Sequence, residues 1–223
     1  MQPKHIAWIV FLIPILAANG AYLIGRFEGV AYECIPYLHG CTSISRAARL
    51  GSAIFWFRGL MMPIAVFLFA FWYLHYHWLA HITGKRPFHV LISGVIGAVF
   101  LILYVDFLGT EGDFYRFMRE QGILFYFAFT ALAQMFSIHW LHAKTEVLHR
   151  RLKRLLQAQA SLIIIAWGFA MVQLTVKTLE LSWSSQMENA AAWNVSLLMS
   201  FFYLFTAWMW QHTQYRWTLL NKS

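Results

Sequence analysis

Apolar residues fill six stretches of the chain, 6–25, 53–79, 90–108, 122–142, 160–179 and 191–210, and polar residues gather in the connections between them. Each stretch is long enough to cross ~30 Å of hydrocarbon at about 1.5 Å per helical residue. The short alternating segments of a transmembrane barrel are absent, and backbone groups in lipid must bond within their own element. The pattern therefore predicts an all-α, polytopic membrane protein: one domain over 1–223, built as a bundle of six transmembrane helices. Composition agrees, with 60% hydrophobic and only 12% charged residues, against about 25% charged in soluble domains.

Charge then orients the bundle. With the N-terminus in the cytoplasm, ten basic residues fall on that side: Lys4, Lys85, Arg86, Lys144, Arg150, Arg151, Lys153, Arg154, Arg216 and Lys222. Glu146 alone opposes them, and eight of the nine acids go to the other side. The positive-inside rule selects this arrangement, which also puts the C-terminus in the cytoplasm. Most of the formal +8 is thus a topological signal. No basic groove interleaved with aromatics accompanies it, so nucleic acid is not an expected partner. The run from Lys144 to Arg154 is also suited to anionic headgroups at the inner surface.

The stretch 6–25 exceeds the apolar core of a signal peptide and no small-residue cleavage pattern follows it, so it is expected to remain as the first span. Cys34 and Cys41 both fall in the first outer connection, 26–52, and are expected to form a disulfide on an oxidising face. Free or metal-binding thiols are the alternative. Most tryptophans lie near span ends, which predicts an interfacial belt: Trp72, Trp78, Trp140, Trp208, Trp210 and Trp217 inside, Trp56, Trp183 and Trp193 outside. Ser93, Gly94, Gly97 and Ala98 give the third span a small face for close helix packing.

Ionisable residues within spans are costly and point to partners or pathways. Arg58 lies about two turns into the second span, and Asp106 ends the antiparallel third span at similar depth, so a guanidinium–carboxylate pair is expected. Lys177 and Glu180 close the fifth span at that level, with Gln173 below, and Asn194 opens the sixth. Together they predict an outer polar pocket suited to an anionic headgroup, with Arg58 as planar donor. Arg46, Arg49, Arg116 and Arg119 add positive charge on the same side. A purely structural ion pair is the competing reading.

Eight of the ten histidines, including His75, His77, His81, His139 and His142, sit near the inner boundary. His75 and His139 share a depth at which two helices can ligate a haem or metal. No carboxylate accompanies them there, and no cofactor or metal is expected.

Order and local pattern resemble one family. A first span precedes a loop reading Pro36, Tyr37, then Ser43, Ile44, Ser45, followed by Ile54, Phe55, Trp56, Phe57, Arg58; Glu188 to Asn194 leads into the last span. These are similar to segments of the Frag/DRAM/Sfk family, which groups the FGF-receptor-activating protein, the DRAM autophagy modulators and the Golgi GPI-anchor lipid-remodelling factor. Arg46 and the Arg119–Glu120 pair depart from the family's pattern. The resemblance implies a six-helix protein concerned with membrane lipids, with Ser43, Ser45, Trp56 and Arg58 as the positions carried over.

The expected function is binding or regulation of membrane lipid through the outer pocket, without catalysis. The alternatives are an intramembrane enzyme that modifies lipid acyl chains, using Asp106 or a histidine as base, and, more distantly, a haem-bearing electron carrier. Partners are membrane lipids, and in addition a protein partner or a second copy of the chain. Short connections favour a bacterial inner membrane, with a eukaryotic endomembrane or plasma membrane as the alternative.

Overall fold

The structure, a computed structural model, describes residues 2–144, 148–179 and 183–216. Among these, every regular element is a helix: α1 (Pro3–Phe27), α2 (Pro36–His39), α3 (Ile44–Ala47), α4 (Ala53–Thr83), α5 (Phe88–Asp106), α6 (Asp113–His142), α7 (Arg150–Thr178) and α8 (Ser184–His212). The six long helices each carry an 18-residue window of mean hydropathy 1.4–2.4, which suits them to crossing a membrane. The chain is thus a multi-pass helical membrane protein. Local chemistry sets the ends. Pro3 opens α1, where its missing N–H costs nothing. Gly84, at φ 70°, takes the left-handed conformation that closes α4 and returns its N–H to the Ala80 carbonyl. Asp113 places a carboxylate in the first turn of α6, against the positive end of the helix dipole.

Several helices outrun the apolar stretches. α6 begins at Asp113 and α7 at Arg150, well before the hydrophobic runs at 122 and 160. Helical hydrogen bonding is satisfied in water as well as in lipid, so a helix need not stop where its hydrophobicity does.

The neighbour order is α7, α8, α1, α4, α5, α6, a ring with its weakest closure between α6 and α7. One end of the bundle carries the disulfide loop, the α5–α6 connection, the end of α7 and the start of α8; the other carries the start of α1, the α4–α5 connection, the start of α7 and the end of α8. The small face of α5 lets two neighbours approach. Trp72 of α4 lies over Gly94, and Thr130 of α6 faces Gly97. Trp72, Trp78, Trp193 and Trp210 are fully buried, which corrects the belt assignment for these four. Trp72, Trp78 and Trp210 pack with Phe71, His75, Phe202 and Tyr203 between α4 and α8, where large rings fill the space that separates the two backbones, and Trp193 meets Tyr22 and Tyr37 edge-on. Trp56, Trp183 and Trp208 are exposed, as an interfacial anchor must be.

α7 is the outlier. Ile164, Trp167, Met171 and Leu174 are all more than half exposed. It is held mainly by α8, where Gln159, buried, donates through Nε2 to the Phe202 carbonyl at 3.1 Å and to Thr206 Oγ1 at 3.0 Å. An interhelical hydrogen bond of this kind contributes about 1 kcal/mol within a membrane.

Candidate functional site

The loop between α1 and α4 folds back over the bundle instead of extending from it. Cys34 and Cys41 are joined in a disulfide, with Cα atoms 6.6 Å apart. Three side chains from the start of α8 tie the loop down by its carbonyls: Asn189 Nδ2 donates to Gly40 O at 2.9 Å, Trp193 Nε1 to Thr42 O at 2.9 Å and Asn194 Nδ2 to Tyr37 O at 2.8 Å. Tyr37, in turn, shares a hydrogen bond with Asn19 of α1. Partial burial raises its phenol pKa above the ordinary value, and the Asn19 contact opposes that.

Held in this way, α3 forms the roof of a cavity of about 170 Å³ enclosed by α1, α4, α5, α6 and α8. Its walls combine apolar side chains such as Phe57, Met61, Leu101 and Ile123 with eight hydroxyl groups, those of Ser43, Ser45, Tyr104, Tyr126, Thr130, Ser196, Ser200 and Tyr203. Ser43 accepts from the Arg46 N–H at 3.1 Å and so caps α3. Ser45 Oγ lies 2.8 Å from Tyr104 Oη, fastening the roof to α5. Thr130 Oγ1 is buried and meets no hydrogen-bond partner among the described residues, whereas the buried Tyr203 hydroxyl has the Gln134 amide beside it. An unsatisfied buried hydroxyl costs about 1–3 kcal/mol, so Thr130 holds a donor in reserve.

Beside it lies a second space. α6, α7 and α8 diverge to leave a cleft of about 490 Å³, lined by Leu124, Ala128, Ala131, Leu132, Ile163, Ala166, Trp167 and Ala170, and apolar except for Gln134. Gln134 is buried and donates to the Met199 carbonyl at 3.1 Å, so its amide is engaged with α8. Phe127 and Met199 belong to both linings. The two spaces therefore share Phe127 and Met199 as a common wall, with a chamber that carries eight hydroxyl groups on one side and an apolar slot on the other. The slot continues toward the basic end along Met135, Ile138 and Ile163, where His139 and His142 border it.

At the roof, charge is unbalanced. Arg119 of α6 is 8% exposed and has no hydrogen bond or ion pair among the described residues. Arg49 donates from Nε to the Ser45 carbonyl at 3.0 Å. Desolvation first, then the Arg119 charge, lowers its pKa from the ordinary value. Both guanidinium groups lie within electrostatic reach of the Tyr104 hydroxyl.

The residues singled out from the sequence divide into separate groups. Arg58 Nη2 is 3.7 Å from Asp106 Oδ1 and donates to the Asp106 carbonyl oxygen at 3.1 Å, so α4 and α5 are bridged at the disulfide end. Both side chains are well exposed, and neither lines the cavity, since Phe57 takes the inward position beside Arg58. Lys177 ends α7, a helix with no substantial packing on α4 or α5, and Asn194 is committed to the loop. Glu180 lies outside the described residues. The polar pocket expected from these residues is thus not what the helices assemble; the cavity uses other side chains. Of the family-motif positions, Ser43 and Ser45 line it, while Trp56 packs on Gly20 and donates to the Leu16 carbonyl at 3.2 Å.

His75 is fully buried, and its Nε2 meets Ser137 Oγ at 3.1 Å. Because that hydroxyl donates to the Ala133 carbonyl at 2.7 Å, Nε2 carries the proton and Nδ1 is left bare among aromatic rings. His139, two residues on from Ser137, points to the far side of α6 and borders the cleft, so the two histidines face different spaces. Among the described residues no cluster of three metal-ligating side chains occurs.

Sequence reasoning missed Tyr104, Tyr126, Thr130 and Tyr203. The signal available was register: Arg119, Ile123, Tyr126, Thr130 and Gln134 fall on one stripe of α6 at helical spacing. Fold and site together define a six-span helical membrane protein with a hydroxyl-bearing chamber beneath its disulfide loop. Comparison with known proteins found no family model, no curated relative and no solved structure that matches the chain.

Proposed function

We propose that the protein binds a membrane amphiphile, its polar group in the chamber under the disulfide loop and its acyl chain in the α6–α7–α8 cleft. The observation that carries this reading is the shared wall of Phe127 and Met199, which sets a hydroxyl-rich space and an apolar, lipid-facing space side by side. Such a juxtaposition matches the two halves of a lipid. Ligand sites are generally apolar with a few convergent polar groups, and pockets between bundle helices are a common place for them. The weak α6–α7 seam supplies a lateral entrance from the bilayer. The Frag/DRAM/Sfk resemblance, which implies work on membrane lipids, supports the same class, and Ser43 and Ser45 are the motif positions at the chamber.

Binding is favoured over acyl transfer or hydrolysis by the partners of the two serines. Their hydroxyl groups bond the Arg46 N–H and Tyr104 Oη, and among the described residues no histidine or carboxylate lines the chamber to serve as base. Lys and Arg asymmetry supports placing the basic end in the cytoplasm, which sets the chamber at the level of the outer leaflet.

The test is native mass spectrometry of protein released from mild detergent. The expected spectrum shows one retained lipid per chain, lost when Ala131→Trp fills the cleft while the protein stays monodisperse. A wild-type spectrum free of lipid, or an unchanged adduct in the variant, overturns the proposal.

A further inference from the structure

We infer that the bound amphiphile is a phospholipid of net negative headgroup charge, its phosphate seated at the chamber roof against Arg119, Arg49, Tyr104 and Ser45. This rests on the amphiphile-binding reading and adds the chemistry of the headgroup. Arg119 is the core of the argument. A guanidinium buried to 8% exposure is almost always paired, because removing one partner from a buried charge pair is strongly destabilising. Here no carboxylate among the described residues lies within ion-pair distance, and the nearest charge influence runs the wrong way. Arg49 and Arg119 repel one another, and Arg46 adds to the repulsion at Arg49. Glu120, which is exposed, attracts Arg49 more weakly than Arg119 and Arg46 repel it. Two like charges brought together on a folded-back loop and a buried helix face describe a site that is completed by an anion.

Position adds the rest. Arg119 stands one turn before Ile123, which lines the chamber, and Arg49 bonds the backbone of Ser45, whose hydroxyl joins Tyr104 at the chamber's edge. A phosphate held between the two guanidinium groups receives charge-assisted hydrogen bonds from both, with planar donors matched to its oxygens. The Tyr104 and Ser45 hydroxyl groups share one hydrogen bond, which leaves one of their two O–H protons to donate toward it, and the hydroxyl groups of Thr130 and Tyr203 also line the chamber for the rest of the headgroup or its ester linkages. Zwitterionic headgroups bring their own cation, which meets an all-positive roof.

The experiment is a competition in native mass spectrometry between dioleoyl phosphatidylglycerol and dioleoyl phosphatidylcholine at equal concentration, repeated with excess inorganic phosphate. Wild type is expected to retain phosphatidylglycerol by about tenfold over phosphatidylcholine, one well-formed charge-assisted contact's worth. Arg119→Gln and Arg49→Gln are expected to lose that preference while still retaining phosphatidylcholine. Arg116→Gln, which removes the same charge one turn away from an exposed pair with Asp113, keeps it. Arg49 lies on the exposed loop, so its variant carries the test if Arg119→Gln fails to fold. Equal retention of both lipids in wild type, or equal loss of preference in Arg116→Gln, overturns the headgroup assignment and leaves the amphiphile reading standing. Displacement of phosphatidylglycerol by inorganic phosphate overturns it in favour of a free-anion site. Retention of neither lipid removes the amphiphile reading and this inference together.

Discussion

Ser45 and Tyr104 are 59 residues apart in sequence, yet their hydroxyl oxygens stand 2.8 Å from each other, one on the short roof helix and one on a membrane-spanning helix. Through this contact the disulfide loop becomes part of the chamber instead of a flexible connection. Tyr104 is 1% exposed, so its ring packs whether or not the hydroxyl is present. Tyr104→Phe is expected to cost about 1 kcal/mol, the usual net value of one hydrogen bond. In a chain of this size that corresponds to a fall of roughly 2–4 °C in the thermal midpoint, readable by unfolding in detergent.

Arg58 and Asp106 pair in an unequal way. The guanidinium bonds the Asp106 backbone carbonyl more closely than it approaches the carboxylate, at 3.1 Å against 3.7 Å. Asp106→Ala therefore leaves the main-chain contact in place, whereas Arg58→Ala removes both. Arg58→Ala is expected to be the more destabilising, and a double-mutant cycle should give a coupling below about 1 kcal/mol, as for other half-exposed pairs. A large coupling would mean that the carboxylate, not the carbonyl, is the main partner.

Gly94 is required by contact. A methyl group there meets Trp72 at 2.3 Å, and Trp72 is itself enclosed on α4, so neither can yield easily. Gly94→Ala is expected to cost about 1–3 kcal/mol by overpacking. At Gly168 of α7 nothing lies within 4 Å, and Gly168→Ala is expected to be neutral or stabilising by the helix propensity difference of up to about 1 kcal/mol. Thermal midpoints of the two variants separate packing from propensity.

Much of this was written in the sequence, but unevenly. The six spans follow from length and hydropathy because hydrocarbon thickness is a simple ruler. The Cys34–Cys41 bridge follows from two cysteines in one short loop, and the Arg58–Asp106 contact from equal depth on antiparallel neighbours. The chamber was not legible because its polar groups are single tyrosines, serines and a threonine scattered through apolar runs, which hydropathy counts as tolerable. The misplaced residues fail for a related reason. Asn194 and Trp193 carry polar atoms at a span entrance, and sequence alone does not say that a loop 150 residues earlier folds back to use them. Ring order decides too: Lys177 shares the depth of Arg58 but sits on a helix that lies elsewhere in the ring.

Acid should loosen the loop at its base. The Glu28 carboxylate accepts hydrogen bonds from the backbone and side chain of Ser52, and these hold its pKa below the ordinary 4.5. A depressed carboxylate pKa stabilises the fold above the unfolded value and loses that contribution as pH falls through the lower folded one. Wild type is thus expected to lose stability below about pH 4.5 relative to Ser52→Ala, in which the two thermal midpoints converge as Glu28 protonates. Parallel curves across that range would show that the contact carries no linkage.

The position of the acyl chain within the bundle can be measured. A phospholipid bearing a photoactivatable diazirine near the middle of its chain, cross-linked in native membranes and mapped by peptide sequencing, reads this directly. The expected labels fall on the 124–135 segment of α6, the 163–170 segment of α7 and around Val195 and Met199 of α8. Labels spread evenly over exposed lipid-facing positions such as Leu12, Leu16 and Val66, with none concentrated at the cleft, contradict it.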